Sequence, residues 1–144
     1  MEQRLSLITL GVADLAKARA FYDALGWKVA TEDQSEAIVC YNLNNMALAL
    51  YPWDKLAEDA QVPVERSGYS AITIAYNVST EQGVDLILSE AEKAGGTIVK
   101  PAQKVFWGGY SGYFADPDGH LWEVAHNPFS SLGPNGEFQW GGVT

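Results

Sequence analysis

Residues 113–128, YFADPDGHLWEVAHNP, carry two strand-like runs around a turn whose chemistry is explicit. Asp116-Pro117-Asp118-Gly119 supplies a side-chain acceptor, a preset φ and a residue free to take positive φ, which together specify a tight reversal. Tyr110–Ala115 and Leu121–Ala125 then read as the strands on either side. In the second run Trp122 and Val124 share one face, while Leu121, Glu123 and Ala125 share the other, because side chains alternate along a strand. Working back from this turn, Thr97–Lys100 is a short strand, followed by an insertion, Pro101–Gly109, that contains Phe106, Trp107 and two glycines. Ser79 with Gln82 has the spacing of a capping box, and Val84, Ile87, Leu88 and Ala91 form the apolar face of a helix that stops at Gly95-Gly96. Tyr69–Val78 precedes it as a strand. The order over 69–126 is therefore β-α-β-β-β.

The first part of the chain, 4–51, repeats that order. Leu5–Val12 is a strand, and Asp14 is placed to cap a helix whose apolar residues Leu15, Ala18, Phe21, Tyr22 and Leu25 recur at helical spacing before Gly26. Three strands are predicted next, at Trp27–Thr31, Ala37–Leu43 and Met46–Tyr51, with Asn44-Asn45 as a hairpin turn. Residues 52–68 show two prolines and no sustained period and are read as a linker; 127–144, rich in Gly, Pro and Ser, is read as an irregular tail docked by its aromatic and apolar residues. The expectation is one α+β domain over 1–144, built from two βαβββ modules.

The chain has 144 residues, the size of one domain. Leu, Ile, Val and Phe make up about a quarter of it, above the ~20% below which highly charged chains stay disordered. The one cysteine, Cys40, cannot form an internal bridge, and the N-terminus lacks the basic start and long apolar stretch of a signal peptide, so the cytoplasm is the expected compartment. Nothing approaches the roughly 18 apolar residues of a membrane span. Nine basic against eighteen acidic residues give a net charge of −9. That field repels phosphate backbones and anionic lipid, which argues against nucleic acid and membrane surfaces and suits a neutral or cationic small molecule.

The duplicated order, with GVADLAKARAFYDALGW at 11–27 and YFADPDGHLWEVAHNP at 113–128, resembles the vicinal oxygen chelate superfamily of glyoxalases, bleomycin-resistance proteins and extradiol dioxygenases. The resemblance covers nearly all of residues 4–128. It implies a cup formed by two curved sheets, with metal ligands at matching positions of the first and last strands, and it implies a homodimer. At those positions this chain has Leu7, Ala49, Thr73 and Glu123. Only the last is a ligand type, and catalytic zinc or non-haem iron sites need about three. No metal and no cofactor are therefore expected. His120 and His126 stand three residues either side of Glu123, so a regular strand turns both to the opposite face.

Glu123 has two readings: a hydrogen-bonded carboxylate serving the sheet, or a carboxylate in an apolar surrounding that accepts a proton or holds a ligand's cation. Leu7, Ala49, Thr73 and Asn77 would line the same inner face, and Trp107 and Tyr110 would come from the insertion and the strand that follows it. The two glycines beside Trp107 make that segment a candidate lid. The resulting expectation is a binding protein for a small organic ligand, cationic or aromatic, held in an acidic aromatic cup without metal. The alternatives are a glyoxalase-like lyase or dioxygenase, or a metal-free enzyme with Glu123 as general base.

Overall fold

A computed structural model describes residues 1–33 and 35–143, in two compact units, Met1–Ser70 and Ala71–Thr144. Together they give a mixed α+β chain with two sheets and, among the described residues, three helices. None of those helices is long and apolar enough to cross a membrane.

In the first unit, β1 (Leu7–Val12) leads into α1 (Leu15–Ala24), whose start is set by the Asp14 carboxylate accepting from the Lys17 amide at 3.0 Å. Gly26, at φ +92°, ends the helix in the left-handed conformation that its lack of Cβ permits. β2 (Val39–Asn42) and β3 (Ala47–Pro52) form a hairpin around Asn45, which is itself at φ +68°. β3 is the centre of the sheet, antiparallel to β2 and parallel to β1. Val12, Phe21, Tyr22, Val39, Tyr41, Leu48 and Leu50 are the largest fully enclosed side chains among this unit's described residues.

Two expectations fail here. Trp27–Thr31 is not a strand: a single backbone bond, from the Ala30 amide to the Cys40 carbonyl at 2.7 Å, ties it to β2, and no ladder forms. What holds the segment is Trp27 itself, its ring 5.4 Å from those of both Tyr22 and Tyr41. The stretch 52–68, expected as linker throughout, contains α2 (Trp53–Ala60), closed by Gln61 in the left-handed region at φ 57°. The helix lies so close to β1 that a Cβ on Gly11 would sit 3.1 Å from Trp53 Cβ.

The second unit runs β4 (Ile74–Asn77), α3 (Glu81–Lys93), β5 (Thr97–Lys104), β6 (Tyr110–Ala115) and β7 (Leu121–His126). Its sheet order is β4-β7-β6-β5, with β4 parallel to β7 and the other pairs antiparallel. The α3 cap is Thr80, whose hydroxyl accepts from the Gly83 amide at 3.0 Å, and not Ser79 as the capping-box spacing suggested. β4 begins at Ile74, so Tyr69–Thr73 lies ahead of the strand; Ala71 there adopts φ +59°, which breaks an extended run. Most of the expected insertion is strand as well. β5 continues to Lys104 through two register irregularities, and Pro101, which has no amide to donate, sits within the second, between Lys100 and Gln103. Only 105–109 remains as the hairpin tip.

One face of this sheet packs on α3. Val84, Leu88 and Ala91 of the helix are buried, as are Phe114, Trp122 and Val124 of the sheet, and the Phe114 and Trp122 rings stack 6.0 Å apart at an interplanar angle of 3°. The Asp116–Gly119 turn is built as its residues demand: the Asp116 carboxylate accepts from the amides of Asp118 and His120, both at 2.9 Å, and Gly119 takes φ +83°.

Candidate functional site

The face of the second sheet turned away from α3 carries Glu123 in the middle of β7. Its register neighbours are Ala75 on β4 and Tyr113 on β6. Two residues further along, Ala125 stands opposite Asn77, so Asn77 and Glu123 are diagonal neighbours on one surface. Above that surface lies a cavity of about 590 Å³. Its floor is Ala75, Asn77, Glu123 and Ala125, and Trp107 comes from the hairpin tip. The rest of the wall belongs to the tail, in particular Phe129, Ser130, Phe138 and Trp140.

Among its described residues the tail has no helix or strand, and it is held by its own polar bonds. Ser130 is buried, and its hydroxyl accepts from the Gly141 amide at 2.9 Å; Asn127 accepts from the Phe129 amide at 2.9 Å. The Phe138 and Trp140 rings meet edge to face, 6.4 Å apart at 82°. At the hairpin tip the Val105 amide donates to Gly109 and the Gly108 amide to Val105. Gly108 is held at φ +99°, with a Cβ there only 3.1 Å from the Phe129 ring, and Gly109 lies directly beneath the Trp107 ring.

Glu123 is half-buried, and its carboxylate makes no hydrogen bond or ion pair with the described residues. The described lining includes no Lys, Arg or His. The cavity thus has an anionic floor and aromatic walls with no counter-charge of its own.

Of the residues singled out from sequence, Glu123, Asn77 and Trp107 meet in this cavity. Tyr110 does not. It shares the helix-facing row of β6, and its hydroxyl donates to Asp85 of α3 at 2.7 Å, an acceptor that holds the phenol above its ordinary pKa. Thr73 is exposed and precedes β4. Leu7 and Ala49 belong to the first unit, Leu7 half-exposed on β1 and Ala49 fully buried on β3. His126 Nδ1 lies 3.2 Å from the Val78 carbonyl, and the His120 amide serves the turn. Phe129, Phe138 and Trp140 do more than dock the tail, and their density among glycines and prolines is the sequence signal that the tail builds a wall.

A sheet with one helix-covered face, one cavity-bearing face and a parallel pairing of its first and last strands defines the βαβββ architecture. The chain belongs to the Glyoxalase/Bleomycin resistance protein/Dioxygenase superfamily, whose model matches residues 4–124. It is similar to a glyoxalase-related enzyme from Fulvimarina pelagi, at 36% identity and a TM-score of 0.87 over 96% of this chain and 98% of that one. A hypothetical protein from S. aureus matches at 27% identity and TM-score 0.75, over 88% and 95%. A lactoylglutathione lyase from Agrobacterium tumefaciens, 22% identical with TM-score 0.65 over 88% and 96%, shares the fold. The divalent metal associated with such proteins does not fit the donors present. Leu7, Ala49 and Thr73 offer no charged or imidazole ligand, and no group of three His, Cys, Asp or Glu side chains among the described residues could hold an ion.

Proposed function

We propose that the second unit binds a small organic cation with an apolar or aromatic body, held by Glu123 and the surrounding rings without a metal. The observation that carries this reading is the Glu123 carboxylate, set in an aromatic-walled cavity with no cationic partner among the described residues. A half-buried charge of this kind is stabilised by a ligand of opposite sign, and the net charge of −9 draws such a ligand in.

The test is a thermal-shift screen of matched amines, neutral analogues and carboxylic acids, followed by titration of the hits. Hits should be cationic. Glu123→Gln retains the shape and should weaken each by more than tenfold, the roughly 1.5–3 kcal/mol of a charge-assisted contact. Equal binding by the variant would assign Glu123 to the scaffold. Elemental analysis for zinc, nickel, iron and manganese should return well below one equivalent; a stoichiometric metal lost on Glu123→Ala would overturn the metal-free part of the reading.

A second reading, a metal-free enzyme with Glu123 as general base, draws support from Asn77, whose amide on the same surface offers a hydrogen-bond donor to a substrate carbonyl. Deuterium uptake from D2O at a carbon of a hit, abolished in Glu123→Gln, would distinguish catalysis from binding.

A further inference from the structure

We propose that the C-terminal tail is the specificity-determining wall of this cavity, and that it selects a quaternary, N-methylated ammonium group over a primary ammonium on the same skeleton. The proposal rests on the cation-binding reading above and sharpens it. The superfamily model matches residues 4–124, and Phe129, Ser130, Phe138 and Trp140 all lie after that stretch. The floor with Glu123 therefore lies within or beside the matched stretch, and three of the cavity's four rings come from after it.

The chemistry of that wall favours a poorly hydrated cation. Phe138 and Trp140 stand at 82° to one another, so they present two ring surfaces at nearly a right angle. Trp140 is 89% exposed and Phe129 67%, so these rings are sacrificed to no core. With Trp107 at the hairpin tip, four rings border the cavity. Ring faces attract cations through their quadrupole, and a trimethylammonium group surrenders little hydration when it moves against them. A primary ammonium must replace the water bonds of three N–H donors. Of the polar side chains in the lining, Ser130 already accepts from the Gly141 amide and Asn127 from the Phe129 amide, whereas the Glu123 and Asn77 side chains on the floor have no such bond among the described residues. Four rings thus face one charged side chain among the described lining residues, and the balance falls to the methylated cation, with Glu123 as its counter-charge.

Ser130 acts as a positioning residue: its buried hydroxyl ties 130 to 141 and so fixes Trp140 next to the cavity.

The experiment titrates the intact protein with benzyltrimethylammonium, benzylammonium and neutral benzyl alcohol, read by calorimetry and tryptophan fluorescence. Benzyltrimethylammonium should bind roughly tenfold or more tighter than benzylammonium, the scale of one or two desolvated ring contacts, and both should exceed the alcohol. Trp140→Ala, at a surface position where melting should change little, should weaken benzyltrimethylammonium far more than benzylammonium and so remove most of that preference. Benzylammonium binding as tightly as its trimethyl analogue, or a preference that survives Trp140→Ala, overturns the tail's role but leaves the cation reading standing. If neither cation surpasses the alcohol, both fall.

Discussion

Trp122→Ala should cost the second unit about 3–5 kcal/mol of stability, the range for removing a buried large aromatic side chain. Trp122 is 5% exposed and stacks on Phe114 within the layer that faces α3, so its loss opens a cavity between sheet and helix rather than a surface dent. For a chain of this length the melting temperature should fall by on the order of 10 °C or more. Trp122→Phe keeps a ring beside Phe114 and should lose less. Thermal and urea unfolding followed by far-ultraviolet circular dichroism measure both variants; a loss below about 1 kcal/mol for the alanine would show that the layer does not depend on the stacked pair.

Gly112→Ala is expected to destabilise by about 1–3 kcal/mol or more, because it overpacks a close approach of backbones. The added Cβ would stand 2.6 Å from Leu88 Cδ1, 2.8 Å from the Lys100 carbonyl oxygen and 2.9 Å from the Ala102 amide nitrogen. Leucine can change rotamer; the other two atoms are β5 main chain and cannot move without disturbing the β5–β6 ladder. Gly119→Ala separates sterics from conformation. That glycine faces open space but holds φ +83°, so its cost should be the roughly 1–2 kcal/mol of a left-handed alanine alone. Denaturant midpoints of the two variants make the comparison, and a Gly112→Ala loss under about 0.5 kcal/mol would mean that β5 yields at its irregular register.

The elements legible in sequence were those whose signals are local and redundant. Asp14, the Phe21-Tyr22 pair and Gly26 specify α1 three times over, and the Asp116–Gly119 turn fixes the register of β6 against β7, which in turn assigns Glu123 to the face away from α3. Where one signal stood alone, the reading slipped. Trp27–Thr31 has β-prone residues, but Trp27 is spent on an aromatic cluster with Tyr22 and Tyr41 instead of a ladder. α2 was hidden because eight residues hold barely two turns, although Trp53, Leu56, Ala57 and Ala60 do carry helical spacing after Pro52. The candidate site divides in the same way. Strand alternation found Asn77 and Glu123, whereas a side chain in an irregular tail has no period, and Phe138 and Trp140 reach the cavity through bonds such as Ser130 to Gly141 that no spacing rule encodes. Tyr110 was assigned to the pocket by its nearness to Trp107 in sequence, yet strand alternation turns it toward Asp85.

The parallel pairing of β4 with β7 has a consequence for how the second unit comes into being. β4 is its first strand and β7 its last, and among the described residues β7 is the sheet neighbour through which β4 joins the rest. The hairpin of β5 and β6 can close early, since its loop is short; β4 must wait for a partner delivered by a crossover that spans the whole unit. Such non-local pairing slows folding. During synthesis, residues 74–77 emerge long before their ladder exists, and the sheet is completed only when Leu121–His126 has left the ribosome. The tail, emerging after β7, then settles over a floor that has only just been assembled.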